Sequence, residues 1–238
     1  MRNDHLRPAA ESADTAEEPS VLLICGSVRE ASHTRTLAEQ LDVALTSVGS
    51  RTLLWNLSER PLPVADPRFH DDPVMNPDEH ARALADCATE ADAFVLCTPI
   101  YHNSYSGVLK NALDHLSIPQ FRYKPVALCS HGGNRSTQAV DQLRIVVRGL
   151  AGVAIPTQVC TAAQDYDDLA SGACALSSRH ILARVAKAAV ELTLFARCLR
   201  PARAWGMGIS PGQALECLRP ADMTVADADE LVPVRSSP

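Results

Sequence analysis

Hydroxyl and guanidinium side chains are concentrated in one short segment, CGSVREASHTRTLAEQL, which runs from Cys25 to Leu41. The side chains there that could bind an anion are Ser27, Arg29, Ser32, Thr34, Arg35 and Thr36. Because the segment follows an apolar run and opens a helical pattern, its free backbone amides and the positive helix end also favour an anion. Arginine forks match phosphate oxygens well. The segment therefore predicts a phosphate-binding loop, with an ordinary helix cap as the alternative.

The spacing within this segment excludes several familiar anion-binding motifs. It contains neither the G-x-x-x-x-G-K-[ST] loop of ATPases nor the G-x-G-x-x-G turn of dinucleotide-binding dehydrogenases. A low-molecular-weight phosphatase would need five residues between its Cys and its Arg, and the same count from Cys25 reaches Ala31. We therefore interpret Cys25 as a buried strand residue and not as a nucleophile.

Two further segments carry side chains suited to a flat ligand. Residues 98–107, TPIYHNSYSG, place Pro99 in a stiff turn and offer the planar faces of Tyr101 and His102. Residues 130–136, SHGGNRS, contain adjacent glycines that let a ligand approach the backbone closely. Each segment alone is also compatible with an ordinary turn. We refer to residues 26–36, 98–107 and 130–136 as the first, second and third loops, and three such loops at one sheet edge favour a ligand site.

Acid–base machinery is not evident in the sequence. His115 and His180 fall on predicted helices, where a surface position or an ordinary hydrogen bond is expected. Asp165, Asp167 and Asp168 lack a His or Glu partner at metal-ligand spacing, so we predict a solvated turn there and no metal site. Phosphate and ring contacts without acid–base groups suit a cofactor that carries its own chemistry.

Apolar periodicity predicts the elements that must position these loops. Short apolar runs predict five strands, at residues 21–25, 51–57, 93–97, 125–130 and 153–160. Helical periodicity predicts helices at residues 34–48, 108–116, 137–150 and 176–199. A further helix, capped by Asn76 or Asp78, is predicted to carry Ala81, Leu84, Ala85 and Ala88. Pro156 suits an edge strand or bulge, and Pro201 is expected to end the last helix. The alternation predicts an α/β fold with a parallel sheet, helices on both faces and ligands at the carboxyl ends of the strands.

The chain of 238 residues is long enough for one ordinary domain with tails, and its charge is uneven. Residues 1–19 and 220–238 are acidic and the remaining body is neutral, which argues against a nucleic-acid binder. We expect residues 1–19 to be a disordered acidic tail and residues 20–199 to be the ligand-binding domain. Residues 200–238 are expected to be a C-terminal extension that packs on the body or on a second subunit through Trp205, Met207 and Ile209.

Hydropathy and cysteine usage indicate in which cellular compartment the protein is expected. No stretch approaches the roughly 20 continuous apolar residues of a membrane span, and the N-terminal residues contain no apolar signal-peptide core. The 8 cysteines are scattered without a C-x-x-C pair, and several lie in apolar runs. Buried reduced thiols in a cytoplasmic protein without a membrane partner are therefore expected.

Three segments resemble the NAD(P)H-dependent FMN reductase family, which includes flavodoxin-like quinone, azo-dye and chromate reductases. GSVREASHTRTLA resembles the family's first loop, G-S-x-R-x-x-S-x-N-x-x-L-A. CTPIYHNSYSGVLKNALDHLS resembles its T-P-x-Y-[NH]-x-S-x-[PS]-G-x-L-K-N-x-[IL]-D segment, which is the most specific match. CSHGGNRSTQAVDQLRIVVRGLAGVAIP resembles its glycine-rich loop with the helix and strand that follow. The resemblance spans residues 21–199.

The resemblance implies a flavodoxin-like three-layer sandwich whose five parallel strands have the order 2-1-3-4-5. It also implies that FMN is the cofactor and that its phosphate is held by Ser27, Arg29, Ser32 and Thr34. The isoalloxazine ring would be lined by Pro99, Ile100, Tyr101 and His102, and closed at its other edge by Ser130, His131, Gly132 and Gly133. The sequence departs from the family at Thr34, where Asn is usual, and at Ile100, where many members have Glu.

The same resemblance implies an activity. The protein would take hydride from NADPH or NADH on flavin N5 and pass electrons to a flavin, a quinone or a similar small acceptor, with no side chain in a catalytic role. A homodimer or homotetramer is implied. Two alternatives stay open. One is a biosynthetic FMN-dependent dehydrogenase that oxidises a ring intermediate such as an amino-deoxychorismate-like compound, and the other is a non-catalytic flavodoxin-like electron carrier.

Overall fold

The computed structural model describes residues 18–169 and 173–206, with side chains up to residue 203. The predictions for residues 1–17 and for the side chains of Trp205, Met207 and Ile209 therefore lie outside the described residues. The chain divides into two compact units, Met1–Arg200 and Pro201–Pro238. The sheet, the core and the candidate site all belong to the first unit.

A parallel sheet forms the centre of this unit. Its strands are β1 (Ser20–Cys25), β2 (Arg51–Asn56), β3 (Ala93–Pro99), β4 (Pro125–Gly132), β5 (Val153–Ala154) and β6 (Val159–Ala162). The order β2-β1-β3-β4-β5 confirms the predicted flavodoxin-like arrangement. The predicted fifth strand is divided around Pro156, and both β5 and β6 pair with β4. The division follows because proline has no backbone N–H for the ladder.

Helices cover both faces of the sheet, as predicted. They are α1 (His33–Ser47), α2 (Glu79–Glu90), α3 (Gly107–Asp114), α4 (Ile118–Phe121), α5 (Gln138–Gly149) and α6 (Arg179–Gly206). One apolar cluster joins the sheet to α1 and α6, and a second joins it to α2, α3, α4 and α5. Alternation along β1 explains the division, because Leu23 and Cys25 enter the first cluster while Leu22 and Ile24 enter the second. Among the described residues, no helix is long and apolar enough to span a membrane.

Two elements differ from the sequence prediction. Helix α6 does not end at Pro201 but continues to Gly206. A proline removes one helical hydrogen bond, but its own φ angle is helical, so the helix can continue past it. A short antiparallel hairpin of β7 (Tyr166–Asp168) and β8 (Cys174–Leu176) occupies a region for which no strand was predicted. Strands of 3 residues are too short for alternation to reveal them.

Candidate functional site

A cavity of about 230 Å³ lies beyond the carboxyl ends of β1, β3 and β4. The three loops leave the sheet at the same level because Cys25 is in register with Cys97, and Cys97 with Cys129. The cavity is lined by Ser27, Arg29, Ala31, Ser32, His33, Thr34, Pro99, Ile100, Tyr101, His131, Gly132 and Gly133. Residues from all three predicted loops therefore meet at one site.

The first loop forms a polar cradle at the start of α1. Ser32 is the N-cap of α1, and its hydroxyl accepts from the backbone N–H of Arg35 at 3.4 Å. The same hydroxyl donates to Ser27 Oγ at 2.8 Å. Ser27 and Thr34 are both buried. The cradle therefore combines ordered hydroxyl groups with the free amides of a helix N-terminus, which suits a phosphate.

Arg29 supplies an available positive charge at this cradle. It is exposed, and within the described part of the chain its guanidinium has no carboxylate at ion-pair distance. The other arginine of the loop is already engaged, since Arg35 pairs with Glu39 at 2.9 Å and with Glu59 at 2.8 Å. Arg29 is therefore the guanidinium that can meet an incoming anion.

Gly26 allows the first and second loops to pack closely. A Cβ at this position would lie 2.8 Å from Leu109 Cβ and 3.1 Å from the carbonyl oxygen of Cys97. The Gly26 carbonyl accepts from Ser106 Oγ at 2.7 Å. Ser106 is also the N-cap of α3 and accepts from the N–H of Leu109 at 3.2 Å. The serine is thus a helix cap that joins the two loops.

The second loop ends in a tight turn beside the cavity. Tyr101 and Ser104 exchange backbone hydrogen bonds of 2.9 Å in both directions. The two residues between them, His102 and Asn103, have φ angles of 50° and 64°. Gln142 on α5 accepts from Ser104 Oγ at 2.6 Å and donates to the Asn103 carbonyl at 3.1 Å. This support leaves Tyr101 at the cavity with 47% of its surface exposed.

The third loop closes the opposite side. The Ile100 N–H donates to the His131 carbonyl at 2.8 Å, which ties the second loop to the third. A Cβ on Gly132 would lie 2.9 Å from Ile100 Cδ1, so glycine lets the isoleucine pack against the backbone. A Cβ on Gly133 would meet nothing within 4 Å. Ile100, which stands where many relatives have Glu, therefore presents an apolar wall.

Three aromatic rings meet beside the third loop. The ring of His33 lies 4.5 Å from that of His131 and 4.4 Å from that of Tyr166, measured between centroids. His33 and Ala31 line the cavity, but the sequence reasoning did not select them. His33 could have been selected from the sequence, because it is the first residue of the helix that follows the phosphate loop. Tyr166 had no such signal, because it is distant in sequence from all three loops.

The electrostatics of the site follow from burial. Burial, with His33 nearby, lowers the pKa of His131 to about 4, so its ring is neutral at physiological pH. Burial raises the pKa of the Cys25 thiol, which supports its interpretation as a strand residue and not a nucleophile. Burial also raises the pKa of the Tyr166 hydroxyl, so the tyrosine stays protonated.

Three residues predicted to bind the cofactor do not line the cavity. Arg35 is held by its two glutamates, and His102 is at the exposed tip of the tight turn. Ser130 is fully buried, and its carbonyl accepts from Thr161 Oγ1 at 3.2 Å.

The prediction of a solvated turn at Asp165 is wrong. Asp165 is fully buried, whereas Asp167 and Asp168 are exposed strand residues. Its carboxylate accepts from the guanidinium of Arg135 in the third loop and from the Ala162 N–H at 2.9 Å. The Arg135 guanidinium lowers the pKa of this carboxyl. Sequence spacing could not show this pair because its partners are 30 positions apart.

A larger hollow elsewhere has its polar groups already satisfied. It measures about 450 Å³ and lies along the Pro-rich segment, near His115, Asp66 and Arg68. Arg68 pairs with Asp66 at 2.6 Å, and His115 Nε2 lies 3.0 Å from the Pro63 carbonyl. His115 is thus an ordinary hydrogen-bonding residue, as expected, and His180 is exposed.

Fold and site together define the class of protein. The sheet has the flavodoxin-like order, and its carboxyl edge carries a hydroxyl-rich anion cradle with the exposed Arg29. Beside the cradle, Tyr101 and Ile100 face the open glycine backbone of the third loop. These features fit a mononucleotide with a flat ring, which is the ligand type of flavoproteins with this topology.

Comparison with known proteins names the family. The family model described as NADPH-dependent FMN reductase matches residues 19–167. An FMN-dependent NADPH-azoreductase of Staphylococcus saprophyticus is 38% identical over 152 residues, which cover 63% of this chain and 81% of that protein. The chain therefore belongs to the NADPH-dependent FMN reductase family.

Solved structures support the fold. The apo form of an NADH:FMN oxidoreductase superposes with a TM-score of 0.59 at 21% identity, covering 74% of this chain and 89% of that one. The flavoenzyme NAD(P)H:(acceptor) oxidoreductase FerB from Paracoccus denitrificans gives 0.58 at 20% identity, covering 74% and 98%. The expected enzyme class is confirmed by the family match: the protein is an FMN-dependent oxidoreductase that uses NAD(P)H.

Proposed function

We propose that the cavity binds FMN with its phosphate on the first loop and its ring between the second and third loops. The observation that carries this proposal is Arg29, which has no carboxylate partner among the described residues, beside the buried hydroxyl groups of Ser27 and Thr34 at the start of α1. A phosphate there gains charge-assisted hydrogen bonds and the favourable end of the helix dipole. Ser32 keeps the cradle in shape by bonding Ser27 and capping the helix.

The protein residues position the reactants and do not transfer protons. Hydride uptake from the nicotinamide and delivery to a second acceptor are chemistry that bound FMN supplies. Tyr101, half-exposed at the cavity, offers a flat surface at the entrance. His131 is neutral and Tyr166 keeps its proton, so neither acts as an acid or base near pH 7.

We propose NADPH as the donor and an azo compound or a quinone as the acceptor. The azoreductase relative supports this choice by its name, and the apolar wall at Ile100 suits an uncharged planar acceptor. Reductive cleavage of an azo bond consumes two NADPH and two protons and releases two amines. Reduction of a quinone consumes one NADPH and one proton.

The absorption spectrum of the purified chain tests this function. Oxidised flavin bands should appear and should bleach after anaerobic addition of NADPH. NADH should bleach them more slowly. Methyl red or a naphthoquinone should then restore them. A flavin that NADPH leaves oxidised would contradict the reductase proposal.

We also propose a homodimer or homotetramer, which rests on the family resemblance, and a location in the cytoplasm, which is supported by the buried free cysteines. Sedimentation velocity over a range of protein concentrations should give a multiple of the chain mass. A single monomer boundary at all concentrations would contradict the oligomer, and recovery in a membrane or secreted fraction would contradict the location.

A further inference from the structure

The hydroxyl of Thr161 on β6, next to the third loop, lies within hydrogen-bond distance of three other groups. Thr161 is fully buried. Its Oγ1 lies 3.2 Å from the Ser130 carbonyl oxygen, 3.1 Å from His131 Nδ1 and 3.0 Å from the Tyr166 hydroxyl oxygen. One hydroxyl thus contacts a carbonyl, an imidazole and a phenol at once.

The proton positions follow from what each group can do. A carbonyl only accepts, so the Thr161 hydroxyl donates its proton to the Ser130 carbonyl. Thr161 Oγ1 then has only lone pairs left for its other two neighbours. It therefore accepts from His131, which places the imidazole proton on Nδ1. The Tyr166 hydroxyl lies 3.0 Å from Thr161 Oγ1 and 3.2 Å from the His33 carbonyl oxygen, so its single proton serves two acceptors.

The other nitrogen of His131 is consequently an acceptor. His131 lines the cavity, and its Nε2 has no hydrogen-bond partner among the residues that the structure describes. Its ring cannot turn freely because it packs 4.5 Å from the His33 ring and 5.4 Å from the Tyr166 ring. Burial keeps the imidazole neutral, so the Nε2 lone pair is retained at physiological pH.

We propose that His131 Nε2 accepts the N3–H group of bound FMN and so selects flavins that carry this proton. The proposal rests on the proposed FMN site. The ring of oxidised isoalloxazine has several acceptor atoms but a single N–H, at N3. A fixed neutral acceptor beside the ring therefore has one partner in the ring system. Thr161 is a positioning residue, because its hydroxyl holds His131 in the tautomer that accepts.

Binding of FMN and 3-methyl-FMN to the flavin-free full chain tests the proposal. Quenching of flavin fluorescence gives both dissociation constants. The dissociation constant of the unmodified protein should be about ten-fold lower for FMN than for 3-methyl-FMN. This factor corresponds to the loss of one buried hydrogen bond. His131→Phe keeps a ring of similar size but lacks the acceptor, so it should bind both flavins equally. If steric crowding by the methyl group caused the preference, His131→Phe would retain it, and the proposal would be overturned.

Nitrogen NMR on the histidine-labelled protein provides a second measurement that needs no substitution at His131. Nε2 should appear unprotonated and Nδ1 protonated, and ¹⁵N-labelled FMN should show coupling between flavin N3 and His131 Nε2. Thr161→Val should lose the single tautomer in the flavin-free protein, and Thr161→Ser should keep it. A protonated Nε2 in the unmodified protein would overturn the proposal.

The same titrations distinguish a failure of the proposed FMN site from a failure of the proposed role of His131. If the full chain bound neither flavin, both the FMN site and the role of His131 would be wrong. If it bound both flavins with equal affinity, the FMN site would stand and the role of His131 would be overturned. His180→Gln is the control, since this exposed histidine of α6 lies outside the cavity lining, and the variant should keep the preference for FMN.

Discussion

At the scale of single residues, ligand binding depends on charged and hydrogen-bonding side chains that are not already bound to other protein groups. Arg29 and Arg35 belong to the same loop, but only Arg29 is without a carboxylate partner in the described chain. The two residues therefore have different expected roles, although the sequence presents them alike.

Arg29→Ala should weaken FMN binding by roughly ten- to 150-fold, because a charged hydrogen bond to phosphate contributes about 1.5–3 kcal/mol. Fluorescence titration with FMN measures the change. Arg68→Ala is the control, since Arg68 is an exposed residue that pairs with Asp66 on the Pro-rich segment. Equal affinity in Arg29→Ala and the unmodified protein would remove Arg29 from the phosphate site.

His131 should make stability depend on pH. Its pKa is about 4 in the folded protein and 6.5 ordinarily, so the unfolded chain binds the proton more readily between these values. The free energy of unfolding should therefore fall as pH is lowered from 6.5 to 4, by at most about 3 kcal/mol because solvent reaches part of the ring. This contribution should be constant above pH 6.5.

Urea unfolding of flavin-free protein at several pH values measures this effect. His131→Phe should flatten the profile between pH 4 and 6.5, whereas exposed His180→Gln should leave it unchanged. Parallel profiles for His131→Phe and the unmodified protein would contradict the assignment.

At the scale of elements, close packing between loops decides the shape of the cavity. Gly26→Ala should destabilise the fold by about 1–3 kcal/mol, because the new methyl group would lie 2.8 Å from Leu109 Cβ and 3.1 Å from a backbone oxygen. Gly107→Ala is the matched control. A Cβ there meets nothing within 4 Å, and alanine favours helices. Chemical denaturation of both variants should separate them, and similar stabilities would contradict the packing argument.

The tight turn of the second loop is a strained element with an external support. Gln142→Ala removes two hydrogen bonds to the turn and should lower the free energy of unfolding by about 1 kcal/mol. His102→Gly should offset part of the loss, since glycine adopts the φ of 50° without strain. Urea denaturation of the single and double variants gives the comparison. A double variant less stable than Gln142→Ala would show that the turn is not strained.

At the scale of the whole molecule, thiol reactivity should report global unfolding. Cys25, Cys97, Cys129 and Cys160 are buried. Burial raises the pKa of Cys25 and Cys160, and a hydrogen bond with Cys129, together with burial, raises the pKa of Cys97. Cys198 is exposed. In a Cys217→Ser background, Ellman's reagent should label Cys198 quickly and the buried thiols only at the rate of unfolding. Rapid labelling of more than three thiols would contradict the packed core, because Cys87 and Cys174 are half-buried.

Much of this architecture could be predicted without coordinates. The strands, the helix faces and three ligand loops follow from local patterns: the apolar runs, the 3.6-residue period and the hydroxyl- and glycine-rich turns. Leu22 and Leu23 separate to opposite faces for the same local reason. These properties depend on residues near one another in the chain, so the sequence alone determined them. The strand order was expected only from the resemblance to the FMN reductase family.

Contacts between distant segments were decided only by the tertiary structure. Asp165 is buried against Arg135, and the hairpin that follows brings Tyr166 against His33 and His131. Arg35 forms an ion pair with Glu59, and Thr161 Oγ1 lies 3.1 Å from His131 Nδ1. Each of these contacts joins residues that are distant in the sequence. The neighbours of a titratable side chain and its burial determine whether that side chain is charged and where its proton lies. The spacing of residues within one segment cannot predict such contacts between segments.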